Sequence, residues 1–179
     1  GWRVGWAVVS GDAARSADFR HAMDLLSALR LCANVPGQFA IEAALNGIDT
    51  ITPLCQPAGR LYEARRAVVD ACAASPHLSL SAPAGALYAF PGVVGDAAQG
   101  FDDHGFALEM LETEDVLLVP GNSFNVPYRN HFRVTLLPQP EQLRDVFARI
   151  DRVLSRRAEA NGKVVPIAAS KHGRARPAA

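Results

Sequence analysis

Arg133 stands inside an apolar stretch, His131-Phe132-Arg133-Val134-Thr135-Leu136, with no acidic residue beside it. Burying a guanidinium without a counter-charge costs several kcal/mol, so it needs a carboxylate partner or a route to solvent. An anionic ligand is one such partner, because the planar fork of arginine grips a carboxylate bidentately. Strand alternation puts Arg133 on one face with His131 and Thr135. The competing reading is an edge strand whose polar face is solvated. Arg3 is a second candidate, placed just ahead of an apolar run in Gly1-Trp2-Arg3-Val4-Gly5-Trp6. It has the chemistry to hold a phosphate or carboxylate, although the local pattern by itself favours a surface arginine at a strand edge. A third candidate is the loop Pro120-Gly121-Asn122-Ser123-Phe124-Asn125, which follows the apolar run Val116–Val119. A positive φ and close backbone approach at Gly121 would suit a ligand-facing loop; an ordinary tight turn is the plainer reading.

Other chemistries find little support. Cys32, Cys55 and Cys72 show no paired spacing, and the five histidines are scattered, so no zinc-binding pattern is present. An odd cysteine count without a secretory signal reads as reduced thiols in a cytoplasmic protein. No nucleophile elbow, phosphate loop or dinucleotide fingerprint occurs. No apolar run reaches the roughly 20 residues that span a bilayer. From Arg156 onward there are six basic residues and one acid, Glu159. This basic tail has no interleaved aromatics for stacking on bases, so a solvated tail is expected rather than a nucleic-acid contact. The only two lysines of the chain, Lys163 and Lys171, lie in it.

The elements that must position these residues follow from periodicity. Residues 4–10 read as a short buried strand ended by Gly11-Asp12. A helix is expected from about Ala13 to Leu31, with Phe19, Met23 and Leu26 at three- and four-residue steps. Pro36 opens a second helix that stops at Asn46-Gly47. Residues 49–59 read as a linker or bend, and a long helix follows over about 59–74. Residues 78–82 and 86–90 alternate as two strands around Pro83-Ala84-Gly85. A Gly-rich loop (92–101), a helix (104–114), a strand (116–119) and a strand (131–137) come next. The last helix spans about 141–157, with Leu143, Val146, Phe147, Ile150, Val153 and Leu154 on one face. Residues 158–179 lose periodicity and read as disordered. The expected class is α/β, a layered sheet-and-helix chain.

Taken together, these segments resemble the fold type I, pyridoxal-phosphate-dependent aminotransferases, of the branch that includes bacterial alanine transaminases. Gly1-Trp2-Arg3-Val4-Gly5-Trp6 matches the end of the stretch that follows the cofactor lysine in that family. Arg30-Leu31-Cys32-Ala33-Asn34-Val35-Pro36, with Gln38 and Ala40, resembles a helix turn near the subunit interface. Gly59-Arg60-Leu61-Tyr62 with Arg65 resembles the opening of the helix that crosses to the small domain. Gly85-Ala86-Leu87-Tyr88-Ala89-Phe90-Pro91 and Val116–Gly121 with Phe124 match small-domain signatures, and His131-Phe132-Arg133 matches the arginine that pairs with the substrate α-carboxylate. The resemblance runs from residue 1 to about 155.

The resemblance implies the C-terminal part of the pyridoxal-phosphate-dependent transferase fold, with an α+β small domain. Residues 1–55 would be the end of the large cofactor-binding domain, 56–157 the small C-terminal domain, and 158–179 a basic tail. It implies pyridoxal 5'-phosphate as cofactor, Arg3 as its phosphate anchor and Arg133 as the substrate-carboxylate anchor. The implied substrates are a small amino acid, alanine, and a 2-oxo acid such as 2-oxoglutarate, handled by a homodimer. No nucleic acid or membrane partner is implied. The Schiff-base lysine of the pattern would fall a few residues before Gly1, and no lysine lies in residues 1–155 to replace it. The chain alone is therefore expected to be inactive. The alternative expectation is a non-catalytic, aminotransferase-like module that binds or dimerises.

Overall fold

The computed structural model describes residues 3–162. It divides into two compact units, Gly1–Pro53 and Leu54–Ala179. In the first unit, α1 covers Ala17–Arg30 and α2 covers Val35–Asn46. Residues 13–16, the start of the helix expected from Ala13, form a turn instead, in which the Arg15 amide donates to the Asp12 side chain at 2.9 Å. Asn34 caps α2 by accepting from the Gly37 amide, and Pro36 sits in the first turn, where its missing N–H is harmless. Residues 4–10 form no strand, against the sequence expectation. A strand exists only through a ladder with a neighbour, and no strand pairs with this run among the described residues. Its apolar side chains are accordingly open, with Trp6 64% and Val8 83% exposed. A short helix α3, Thr52–Cys55, interrupts what the sequence suggests is a plain linker.

The second unit holds the core. Helix α4, Arg60–Ala74, buries Ala64, Ala67, Val68 and Cys72. Helix α5 is Asp103–Glu114, and α6 is Pro140–Gly162. Leu143, Phe147, Ile150 and Leu154 of α6 recur at three- and four-residue steps and face the same core as α4. Five short strands accompany them: β1 Leu78–Ser79, β2 Tyr88–Ala89, β3 Gly92–Val93, β4 Val119–Pro120 and β5 Phe132–Thr135. β1 pairs antiparallel with β3, and a separate antiparallel sheet has the order β2-β5-β4.

Three expectations are corrected here. β1 and β2 do not form a hairpin with each other. The connection between them contains Pro83, which has no ladder N–H, and Ala86 at φ 61. It is held instead by α4, where Arg65 Nε donates to the Pro83 carbonyl at 2.6 Å. The strand expected over 116–119 shrinks to β4, because Asp115 takes a left-handed φ of 54 and the Val116 amide turns back to the Met110 carbonyl. Residues 158–162, assigned by sequence to a disordered tail, complete α6. Asn161 ties that last turn to the carbonyls of Asp96 and Gln99, and Arg157 pairs with Glu109 at 2.6 Å. Residues 163–179 lie outside the described residues.

Candidate functional site

β5 is the central strand of its sheet, and its alternation decides what Arg133 meets. Phe132 and Val134 turn into the core, the former fully buried, while Arg133 and Thr135 take the opposite, half-buried face. Arg133 lies across from Val119 of β4, and Thr135 across from Tyr88 of β2. One aromatic ring therefore reaches the guanidinium from each flank. Its Cζ is 4.5 Å from the centroid of Tyr88 and 4.9 Å from that of Phe124, which follows β4 in the 3-10 turn Gly121–Phe124.

The guanidinium is held by rings and by no counter-charge. Its Nε is buried and has no hydrogen-bond partner, and among the described residues its side chain makes no ion pair. An unmet buried donor costs about 1–3 kcal/mol. Each cation–π contact returns about 0.5–1 kcal/mol, and more where water is excluded. The rings thus stabilise the cation and fix its plane, and among the described residues no counter-charge competes for it. A carboxylate is the group that meets it best, with two oxygens spaced for the fork.

His131 shares this face. It stacks on Phe90 at 5.2 Å and lies against Tyr128 at 4.2 Å. Desolvation lowers its pKa, so the ring is neutral near pH 7 and adds no second positive charge beside Arg133. The Asn130 amide nitrogen donates to the Val93 carbonyl at 2.8 Å, which turns its oxygen to His131 Nδ1 at 2.9 Å. The imidazole is thereby held as the Nδ1–H tautomer. Phe90 links the two groups, meeting Phe124 edge to face at 5.7 Å.

Arg3, the candidate phosphate anchor, is exposed, in the left-handed region at φ 48, and free of hydrogen bonds and ion pairs among the described residues. It belongs to the first unit and Arg133 to the second. Gly121 does not take the positive φ that would suit a ligand-facing loop. The close approach is nonetheless real: a Cβ there would lie 2.6 Å from the His131 carbonyl oxygen. Sequence reasoning missed the roles of Tyr88 and Phe124, although both fall in segments it singled out. It gave no weight to Asp103, whose signal was only a pair of acids opening a helix. Among the described residues no cluster of histidine, cysteine and acidic side chains could hold a metal, and no helix is long and apolar enough to cross a membrane.

Mixed helices and strands of this arrangement are those of part of the fold of pyridoxal-phosphate-dependent transferases. The chain belongs to the family described as aminotransferase class I and II, whose sequence profile matches residues 1–150. It is 37% identical over 155 residues to the glutamate-pyruvate aminotransferase AlaA of Escherichia coli (strain K12), an alignment covering 87% of this chain and 38% of that one. It is 38% identical over 153 residues to an alanine aminotransferase of Mycobacterium tuberculosis, covering 86% of this chain and 35% of the other. Among solved structures, an aminotransferase from Escherichia coli superposes with a TM-score of 0.75 at 36% identity, over 83% of this chain and 37% of that one. An alanine aminotransferase from Pyrococcus furiosus does so with a TM-score of 0.63 at 33% identity, over 78% and 35%. The chain thus spans well under half the length of these relatives.

The family implies pyridoxal phosphate, and the residues in hand fit it only at one end. Arg3 offers an unpaired guanidinium suited to a phosphate. Among the described residues there is no lysine to meet the aldehyde; the two lysines of the sequence, Lys163 and Lys171, lie outside them.

Proposed function

We propose that this chain serves amino-group transfer between alanine and a 2-oxo acid such as 2-oxoglutarate, supplying the carboxylate-binding share of a pyridoxal-phosphate-dependent aminotransferase. The observation that carries this reading is the buried, unpartnered Nε of Arg133 between two rings. Arg133 anchors the substrate α-carboxylate, a positioning contribution that fixes the orientation of the bond to be broken. Arg3 anchors the cofactor phosphate. Residues 1–55 act as the end of the large cofactor domain and 56–157 as the small domain, in a homodimer. The names of the relatives, glutamate-pyruvate aminotransferase and alanine aminotransferase, support the choice of substrates. On this reading the chain by itself has no transaminase activity, because no lysine lies in residues 1–155.

The lack of an amine among the described residues favours one second reading, a non-catalytic module that keeps the carboxylate site. The test is to mix the purified chain with pyridoxal phosphate, record the visible spectrum, and reduce with borohydride. Mass spectrometry then locates any adduct, and turnover is assayed with alanine and 2-oxoglutarate. No adduct, or one confined to Lys163 or Lys171, with no turnover, is expected. A stoichiometric adduct that supports turnover contradicts the proposed inactivity. Coexpression with the part of the Escherichia coli relative that this chain does not span separates the two readings. Restored alanine turnover supports the enzyme, and a stable complex without turnover supports the module.

A further inference from the structure

Asp103 is 1% exposed, yet it is an acid at the first position of a helix that already has a cap. Asp102 caps α5 by accepting from the His104 and Gly105 amides. The helix terminus therefore does not explain why a second carboxylate is buried. A buried charge is tolerated where it is strongly hydrogen-bonded, and the bond found here leads out of the helix. Asp103 Oδ2 accepts from the Asn122 backbone N–H at 2.7 Å, a short, charge-assisted bond.

Asn122 belongs to the turn Gly121–Phe124, whose last residue lays its ring against Arg133. That turn is clasped a second time at its start. The Gly121 N–H donates to the His131 carbonyl at 2.9 Å, at an approach that leaves no room for a Cβ. Asn125, at φ 53, closes it. The two clasps come from α5 and from the start of β5, so the turn is fixed against both the helix layer and the strand that carries Arg133. With the Asp103 bond missing, the Gly121 bond and the ring contacts of Phe124 with Phe90 and Arg133 would be left to restrain the turn, and Phe124 is itself more than a third exposed.

We propose that Asp103 is a positioning residue for Arg133: its buried carboxylate holds the 121–124 turn, and through it sets Phe124 against the guanidinium that receives the substrate carboxylate. This rests on the reading of Arg133 given under the proposed function. The chain of contacts is Asp103 to the Asn122 N–H, the turn to Phe124, and Phe124 to the Arg133 cation. Nothing in it requires Asp103 to touch a ligand.

The side-chain Nε–H resonance of Arg133 reads this directly, because ring currents of Tyr88 and Phe124 displace it from the position of a free arginine. F124L is expected to return it part of the way. D103A and N122P are expected to move it in the same direction, while D103N, which keeps an oxygen acceptor, stays near the parent. Asn122→Pro removes the same bond from the exposed side, and the φ of a 3-10 turn accommodates proline. It therefore decides the matter if D103A fails to fold. Titration with pyruvate should show affinity reduced about two- to fivefold in F124L, D103A and N122P, as loss of one exposed cation–π contact implies. A folded D103A or N122P with an unmoved Arg133 resonance overturns the proposal, as does D103N behaving like D103A. A parent resonance indifferent to pyruvate overturns the carboxylate reading on its own, and the ring displacement still tells whether Asp103 sets the turn.

Discussion

Replacing Arg133 by methionine distinguishes a receptor from a structural arginine. The native side chain carries one buried donor without a partner and two ring contacts. Removing the unmet donor relieves about 1–3 kcal/mol. Losing two cation–π contacts costs about 1–2 kcal/mol in total, and methionine keeps much of the packing against the rings. The two effects nearly cancel. The expected change in stability lies between about 1 kcal/mol of loss and about 2 kcal/mol of gain. Urea unfolding of the chain, followed by circular dichroism, measures it as a shift in midpoint at constant slope. Binding of small 2-oxo acids should vanish in the same variant. An arginine engaged in a satisfied buried ion pair behaves otherwise, since breaking such a pair costs about 3–5 kcal/mol. A loss of about 3 kcal/mol or more in Arg133→Met would refute the claim that this cation waits for an external anion.

Three further outcomes are expected. Glu114, 8% exposed at the side chain, receives Arg152 at 2.7 Å and Arg156 at 3.3 Å. Both arginines are more than half exposed and can return to water, so E114A should cost about 1–3 kcal/mol in a urea titration, and an unchanged midpoint contradicts the tether between α5 and α6. Burial pushes the Cys72 thiol up to about 12, whereas Cys32 and Cys55 are exposed. A thiol reagent at mildly alkaline pH should therefore modify two cysteines quickly and Cys72 only on unfolding; three equal rates contradict the packing of α4. The His131 proton resonance should titrate below the ordinary imidazole value of about 6.5. Because its folded pKa is depressed, its contribution to stability is complete above that value and is lost as the pH falls below it. A midpoint at or above the ordinary value contradicts the desolvated ring.

The helices of the second unit were legible because burial repeats along them at helical spacing, as Leu143, Phe147, Ile150 and Leu154 show. Arg133 was legible for the opposite reason: a lone charge in an apolar strand breaks the pattern, and its face was set by alternation alone. Strand partners were not legible. Leu78 pairs with Val93 and Tyr88 with Thr135, and such ladders depend on which segments meet in space. The run 4–10 failed as a strand for the same reason, since apolar composition cannot supply a neighbour. The rings around Arg133 come from separate parts of the chain, and Asp103 meets a residue nineteen positions later. Local pattern carries no signal for contacts of that kind. Residues 158–162 were misread because Ala and Gly weaken the periodicity, while Asn161 and Arg157 anchor the turn through side chains.

The central claim is that Arg133 receives a carboxylate, and a crystal of the chain soaked with pyruvate tests it most directly. The account predicts a carboxylate in hydrogen-bond range of the Arg133 guanidinium, about 2.7–2.9 Å away, with Tyr88 and Phe124 still against it. A guanidinium turned to a carbonyl or acid of its own chain, with no pyruvate beside it, would contradict the account.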